Sequence, residues 1–391
     1  MVMAGESHHG ASVILPDPRP SPPRERLAGL DLLRALAITL VVLWHFPLAV
    51  FPFHWRPATW AGVDLFFVLS GYLIGTQLLR PFAEQRRPSI RDFFLRRMFR
   101  VLPAYGVVLA IYFLVPGFRE WPVLAPLWRF LTFTLNFGLD ASKTGAFSHA
   151  WSLCVEEHFY LVLPVIVFAL MRRPSARRTA IVAGGLLLGG MLLRASLYYF
   201  LLYKHPYRPD ESPGARFLQI IYYPTYNRLD GLTVGVLIAA VRLFRPAWWA
   251  RLAGFGNEIL ALAAVVLVGA FCLCQQMRSF STAVFGYPLL ALGFGLLLIA
   301  SLSPHCFLSR QRFFGVTLIA TLSYSLYLTH KEIMHLDDLY LHGWLVQVGL
   351  IRMGLYLGSF LVAAEMLYWS VERSGFRLRN WCFSRMKPVA P

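Results

Sequence analysis

Hydrophobic residues in this chain fall into long runs that are separated by short polar segments. Crossing a bilayer as a helix takes about 20 apolar residues. Runs of about this length lie near residues 30–50, 59–79, 99–116, 151–171, 179–202, 228–243, 256–274, 283–303, 313–331 and 345–370. Segment 121–138 is also apolar, but Pro122 and Pro126 interrupt it, so we expect an interfacial or re-entrant piece there. The pattern predicts an all-α fold, a polytopic integral membrane helical bundle with about ten transmembrane helices.

The polar ends of the chain set the predicted domain boundaries. Residues 1–26 are rich in proline and contain no apolar run, which predicts a disordered cytosolic tail. The run that follows is too long for a cleaved signal peptide. Residues 27–380 are the predicted transmembrane domain, and residues 381–391 are a predicted cytosolic C-terminal tail.

Composition and charge agree with a membrane bundle. The chain of 391 residues is 57% hydrophobic and only 15% charged, whereas soluble domains are about one quarter charged. The net charge is +17, but most Lys and Arg fall in loops that the span pattern places in the cytosol when both termini are cytoplasmic. This distribution follows the positive-inside rule, so the charge does not indicate nucleic-acid binding. The five cysteines have no metal-ligand spacing, and no metal is predicted.

Ionisable residues inside membrane spans are candidate functional groups, because they are costly to bury in lipid. The first run holds Arg34 and His45, with ten residues between them. Eleven steps of a helix place them on one face, about 16 Å apart along the axis. Alternatively, Arg34 extends to the interface and His45 bonds to a neighbouring carbonyl.

Acidic residues lie near the outer ends of the second and fourth runs. Asp64 opens the second run, where it is either a catalytic group or a cap of the span. Glu156 and Glu157 lie one to two turns inside the fourth run, which packing or a helix dipole explains poorly. A glutamate beside a histidine can fix its tautomer and stabilise its cation. We therefore expect Glu156 or Glu157 to support His45.

Arginines cluster at the predicted cytosolic entrance of the third run. Arg96, Arg97 and Arg100 are close in sequence, and Arg97 and Arg100 share one helix face. Guanidinium groups bind phosphate oxygens through paired hydrogen bonds. The alternative is that these arginines only contribute to the topology signal.

Further polar and aromatic residues start from the outer ends of their spans. They are Trp151, Tyr160, Arg228, Asp230 and His330. As substrate-binding groups they would line a cavity in the outer half of the bundle. Alternatively, Arg228 and Asp230 form an interfacial ion pair, His330 is solvated, and the aromatic side chains anchor the protein at the interface.

Several motifs occur in order along most of the chain. They are LDLLRA at 30–35 with His45, GVDLFFVLSG at 62–71, Arg97-x-x-Arg100, WSL at 151–153 followed by Glu156-Glu157, and SYSLYLTH at 323–330. In this arrangement the chain resembles the membrane-bound acyltransferase family 3, whose members O-acylate polysaccharides, lipopolysaccharide, other glycans and macrolide sugars. Leu33 and His158 depart from residues common in that family, but neither removes a proposed catalytic group.

The resemblance implies an acyl donor, usually acetyl-CoA, with His45 as the central catalytic residue. It also implies that Arg34, Arg97 and Arg100 help to hold the donor, and that Glu156 or Glu157 supports the site. We place Arg96 with the donor-binding arginines and Asp64 with the catalytic groups. The expected partners are acyl-CoA, a carbohydrate or glycolipid acceptor and membrane lipids, in the bacterial inner membrane.

The sequence leads to the hypothesis of a transmembrane O-acyltransferase. Transfer is either direct, with His45 as general base, or passes through an acylated His45. The rival hypothesis is a proton-coupled transporter or flippase of an anionic solute. Transporters often contain internal repeats, and the sequence shows none, which counts against this hypothesis. A third hypothesis is that the chain is an inactive family member that serves as a partner protein. The complete set of motif residues argues against this hypothesis.

Overall fold

The computed structural model describes residues 28–46, 59–205, 212–311, 313–345 and 349–386. Of these residues 81% are helical, and they form no β-sheet, which confirms the predicted all-α fold. The predicted tail at 1–26 lies outside the described residues, as do residues 387–391 of the predicted C-terminal tail.

The helices follow one another with short connections. In chain order they are α1 Ala28–His45, α2 Gly62–Ala83, α3 Ile90–Leu114, α4 Leu127–Leu131, α5 Trp151–Met171, α6 Ala176–Leu197, α7 Pro213–Phe217, α8 Asp230–Phe244, α9 Pro246–Gly254, α10 Gly256–Leu273, α11 Tyr287–Leu302, α12 Phe307–Arg310, α13 Val316–Leu345, α14 Gly349–Leu367 and α15 Arg373–Met386. Short 3-10 helices span Pro116–Phe118, Ser148–Ala150 and Thr225–Asn227, and π-helical segments span Tyr198–Tyr203, Leu218–Tyr222, Thr282–Gly286 and Tyr368–Glu372. The predicted domain boundary after residue 380 falls inside α15.

Eight helices in the described part of the chain are long and apolar enough to cross a membrane, so the chain is an integral membrane protein. A ninth span is possible if α8 and α9 count as one, but they meet at an angle of 109°. The predicted run at 313–331 becomes part of α13, whose C-terminal half is polar. The number of spans and the side of each terminus stay predictions.

Two helices pack so closely that only glycine fits between them. A Cβ atom on Gly71 in α2 would lie 2.1 Å from the carbonyl oxygen of Leu232 in α8. A Cβ on Gly235 would lie 2.2 Å from the carbonyl oxygen of Val68. Small residues allow such close helix contacts in membranes. The contact fixes the outer end of α2 beside the start of α8, where several charged residues meet.

The segment with two prolines folds as a cap over the C-terminal end of α3. It contains only the five residues of α4 and no spanning helix, consistent with the predicted interfacial or re-entrant piece. The ring of Phe147 stacks on Tyr112 at 4.5 Å and on Phe130 at 5.7 Å. The Phe147 N–H also donates to Glu120 at 3.1 Å. These contacts fix Glu120 beside the polar half of α13.

Candidate active site

A cavity of about 800 Å³, here called the outer cavity, lies at the end of the bundle that the charge pattern predicts to face outwards. Its lining includes His45 at the end of α1 and His149 in the turn before α5. Most of its other wall residues are aromatic or polar; among them are Thr59, Trp60, Trp151, Tyr198, Tyr222, Tyr223, Gln275, Gln276, Ser279 and Tyr327. A cavity of this size and chemistry suits a ligand that combines flat apolar faces with hydroxyl groups.

His45 contacts His330 of α13, because α1 packs against that helix. The Nδ1 atom of His330 lies 2.9 Å from the Tyr327 carbonyl oxygen, so this nitrogen is the donor and Nε2 is the acceptor. His45 Nδ1 lies 3.2 Å from His330 Nε2 and 2.9 Å from the Val41 carbonyl oxygen. Both neighbours are acceptors, so the proton of His45 resides on Nδ1. The lone pair is then on Nε2, which is the state that a general base requires.

A second cavity, of about 160 Å³, lies deeper in the bundle. Its lining includes Arg34, Arg97, Arg100 and Glu156. It shares the wall residues Val63 and Tyr327 with the outer cavity. The hydroxyl of Tyr327 is fixed by the Ser152 hydroxyl at 2.6 Å and the His149 carbonyl at 2.5 Å. The two cavities therefore approach each other from opposite sides of one ordered wall.

The two adjacent glutamates of α5 contact an arginine. Arg97 Nη2 lies 3.7 Å from Glu156 Oε2 and 3.7 Å from Glu157 Oε1. Its guanidinium carbon lies 3.8 Å from the ring centroid of Tyr160, whose hydroxyl donates to Glu156 at 2.6 Å. These contacts place the glutamates at the inner cavity, whereas His45 lines the outer one. His330 is a polar side chain that the structure brings to His45, whereas Tyr160 packs against Arg97 of the inner cavity.

The other predicted donor-binding arginines differ in position. Arg100 Nη1 lies 2.7 Å from Glu372 Oε1, and Ser325 donates to the second oxygen of this carboxylate at 2.9 Å. Arg34 Nη1 is 3.8 Å from Asp31. Arg96 is exposed, stacks on Phe383 of α15 at 4.5 Å and is not part of the lining of either cavity. The structure thus groups Arg34, Arg97 and Arg100 and separates Arg96 from them.

Two buried ion pairs support the wall behind the outer cavity. Arg228 bonds Asp64 at 2.9 Å, and Arg194 bonds Asp230 through two contacts of 2.8 and 3.1 Å. The pair of Arg228 with Asp230 that the sequence suggested does not form, because Arg194 of α6 takes Asp230. Arg228 also stacks on the cavity residue Tyr222 at 4.6 Å. In the described structure neither cavity lining includes Asp64, Arg228 or Asp230, while Trp151 lines the outer cavity as predicted.

Comparison with known proteins now decides the family. A model described as an acyltransferase domain matches residues 27–369. The chain belongs to this acyltransferase family. It is 26% identical to the peptidoglycan O-acetyltransferase OatA of Listeria monocytogenes, covering 94% of this chain and 60% of the relative. It is 28% identical to YrhL of Bacillus subtilis, a proposed peptidoglycan O-acetyltransferase, over 55% of this chain and 33% of the relative.

The chain spans less than two thirds of the length of either relative. A proposed O-acetyltransferase of Staphylococcus aureus matches over 54% of this chain and 34% of the relative, at 27% identity. No solved structure matches.

Sequence reasoning on this chain missed the partners of its charged groups. Glu372, Arg194 and Lys331 are ion-pair partners that no sequence motif indicated. Arg194 carried one usable signal, since it is charged within an apolar run. His330 was expected to bind substrate, but its contact with His45 came only from the packing of α13 on α1.

Proposed function

We propose that this protein is a transmembrane O-acetyltransferase that moves an acetyl group from cytosolic acetyl-CoA to a hydroxyl of a glycan acceptor. The observation that carries the proposal is the pair of cavities that share Val63 and Tyr327, with arginines lining one and His45 lining the other. The family assignment and the relatives named as peptidoglycan O-acetyltransferases support it.

The arginine-lined inner cavity is suited to the phosphate groups of an acyl-CoA donor, since its volume of about 160 Å³ is too small for the whole molecule. Acetyl-CoA is anionic, and guanidinium groups bind phosphate oxygens through charge-assisted hydrogen bonds. Arg97 is oriented by Glu156, Glu157 and the face of Tyr160, and Arg100 is oriented by Glu372. An arginine held in one geometry loses less conformational entropy when it binds a ligand. Arg34 adds a third cation to the same cavity.

His45 is the proposed base for acyl transfer. Its Nε2 takes the proton of the acceptor hydroxyl as that oxygen attacks the thioester carbonyl carbon. The carbon–sulfur bond breaks, and the CoA sulfur leaves with the proton that His45 received. His330 keeps His45 in the required tautomer through the contact at Nδ1. In the covalent alternative, Nε2 attacks the thioester first, and the acceptor hydroxyl then takes the acetyl group from the imidazole.

The outer cavity is suited to a carbohydrate. Trp60, Trp151 and Tyr222 contribute aromatic faces to a wall that also has polar groups such as Gln275 and Ser279. The relative OatA is named as a peptidoglycan O-acetyltransferase. We extend this to a peptidoglycan acceptor for the present chain, which we place in the bacterial cytoplasmic membrane.

The test uses purified protein in nanodiscs with acetyl-CoA labelled on the acetyl group. We expect wild type to release free CoA and to label a peptidoglycan acceptor. His45→Ala should bind the donor and release no CoA. His305→Ala is the matched control, because His305 is exposed and lies away from both cavities.

Two results would contradict the proposal. The first is equal CoA release from wild type and His45→Ala. The second is uptake of an anionic solute by proteoliposomes without an acyl donor, combined with no acyl transfer from any of several acyl-CoAs. An isolable acetylated His45 with ping-pong kinetics would select the covalent route.

A further inference from the structure

A third polar cluster lies beside the outer cavity and has no part in the proposed reaction. It consists of Glu120 from the loop after α3, His149 from the turn before α5 and Glu332 from α13. One possible ligand atom from each of the three residues lies within 4.8 Å of the others. His149 is 4% exposed and Glu332 is 0% exposed. The three segments are far apart in sequence, so only the fold brings these side chains together.

His149 is buried without a good hydrogen-bond partner. Neither of its ring nitrogens forms a hydrogen bond of normal geometry with the described residues, and the nearest backbone group that interacts with the ring belongs to Leu328. Its Nε2 faces Glu332 Oε1 at 3.7 Å, which is too long for a hydrogen bond. The second oxygen of Glu332 also has no partner in the described part of the chain. Buried polar atoms are normally satisfied, so three such atoms in one cluster point to a bound water or ion.

The charges in the cluster do not balance. Lys331 Nζ lies 2.8 Å from Glu120 Oε1 and compensates one carboxylate. The hydroxyl of Tyr112 contacts Glu120 Oε2 at 2.8 Å and also Glu332 Oε1. A phenol has one proton to donate, so it serves only one of the two carboxylates. Glu332 therefore lacks a compensating positive charge, and a buried carboxylate without one is costly.

We propose that Glu120, His149 and Glu332 bind a divalent metal cation. One imidazole and two carboxylates form a ligand set typical of Zn²⁺ and related divalent ions. Ligand atoms on a tetrahedral ion lie about 3.4 Å apart at the usual bond lengths, so ligand atoms up to 4.8 Å apart must move closer by as much as about 1.4 Å when the ion binds. Tyr112 and Lys331 are the supporting groups that orient the two carboxylates.

The proposed cation lies close to the acyl-transfer site without belonging to it. The ring of His149 is 5.2 Å from the ring of His330, which contacts His45. His149 also lines the outer cavity. A cation that fixes His149 would thus order the wall on which the acceptor is expected to rest. The metal site stands on its own contacts and does not depend on the proposed enzymatic function.

The test measures metal content and thermal stability. The full chain is purified in detergent with a tag that binds no metal, incubated with Zn²⁺, Mn²⁺ or Mg²⁺, washed and analysed by inductively coupled plasma mass spectrometry. We expect one ion per chain for wild type. A chelator should remove it and lower the midpoint of thermal unfolding, and the added metal should restore that midpoint.

Conservative variants identify the ligands. His149→Gln and Glu332→Gln should each lose the ion and the response of the midpoint to chelator. His305→Ala and Glu258→Gln remove an exposed histidine and an exposed glutamate, and should keep both. If a ligand variant does not fold, the chelation and reconstitution of wild type still decide the question.

Two outcomes would overturn the proposal. The first is that wild type retains none of the three metals and that the chelator does not change its midpoint of thermal unfolding. This is expected if His149 is instead an imidazolium paired with Glu332, or if Glu332 is protonated. The other is full metal retention by both His149→Gln and Glu332→Gln, which would locate the ion elsewhere.

Discussion

Neutralising Asp64 should destabilise the protein through the partner it leaves behind. Asp64 accepts a hydrogen bond of 2.9 Å from Arg228, and the two side chains are only 7% and 1% exposed. Asp64→Asn keeps the size of the side chain but removes its charge. Arginine cannot lose its proton in a protein, so Arg228 would remain a buried cation. The expected consequence is a large loss of stability from a change of very few atoms.

The size of the loss follows from the contacts that remain. Removing one partner of a buried ion pair costs about 3–5 kcal/mol. Arg228 would keep its positions over the rings of Tyr287 at 4.1 Å and Tyr222 at 4.6 Å. A desolvated cation–π contact contributes about 2 kcal/mol. We therefore expect a loss near the lower limit, about 3 kcal/mol.

The assay is SDS-induced unfolding in mixed micelles, followed by tryptophan fluorescence. Adding Arg228→Met to Asp64→Asn removes the second charge and places a thioether among the aromatic rings. We expect this double variant to unfold within about 1 kcal/mol of wild type, because an apolar replacement of a buried pair is often neutral. The control is Glu84→Gln, whose bond to Arg86 is exposed and contributes at most about 1 kcal/mol.

Acyl transfer by the same variants separates two roles for Asp64. If Asp64 serves only the ion pair, the double variant regains activity together with stability. If it is also a catalytic group, as the sequence suggested, the double variant is stable but inactive. The reasoning fails if Asp64→Asn unfolds like wild type, or if the double variant is less stable than the sum of the single changes.

Two further predictions concern helix packing and donor binding. Gly71→Ala should lower the free energy of unfolding, because its Cβ would meet the Leu232 carbonyl oxygen at 2.1 Å. Gly184→Ala in α6 is the control, because a Cβ at that position would lie in open space. It should stabilise the protein by up to about 1 kcal/mol, since alanine has the higher helix propensity. Equal effects of the two changes on the free energy of unfolding would refute the proposed close contact. Arg100→Gln should raise the KM for acetyl-CoA, because Arg100 lines the inner cavity, whereas Arg96→Gln should leave that KM unchanged. A higher KM in Arg96→Gln alone would place the donor outside the inner cavity.

The membrane-bundle fold could be read from the sequence because each helix carries its own signal. Apolar runs of spanning length and the distribution of arginine among loops are local properties, and the structure confirms the helical bundle that they predict. The exceptions have local causes. The run at 228–243 became a helix of 15 residues that turns sharply into α9, and the run at 313–331 merged into α13 with polar residues such as Lys331.

Local spacing also predicted which candidate residues lie at opposite ends of one helix. The arrangement of Arg34 and His45 on one helix predicted an arginine towards one end and a histidine towards the other, and these residues line the inner and outer cavities. A helix fixes the angle and rise between its own residues, so such predictions need no knowledge of the other helices.

Partner choice was decided only by the tertiary structure. The sequence suggested Glu156 or Glu157 with His45, and Arg228 with Asp230. The fold instead pairs both glutamates with Arg97, and Arg228 with Asp64. Each of these contacts depends on the register and crossing of two helices, which close packing such as that around Gly71 determines. A hydrophobic pattern states which face of a helix is buried, but it contains no information about which neighbour lies against that face.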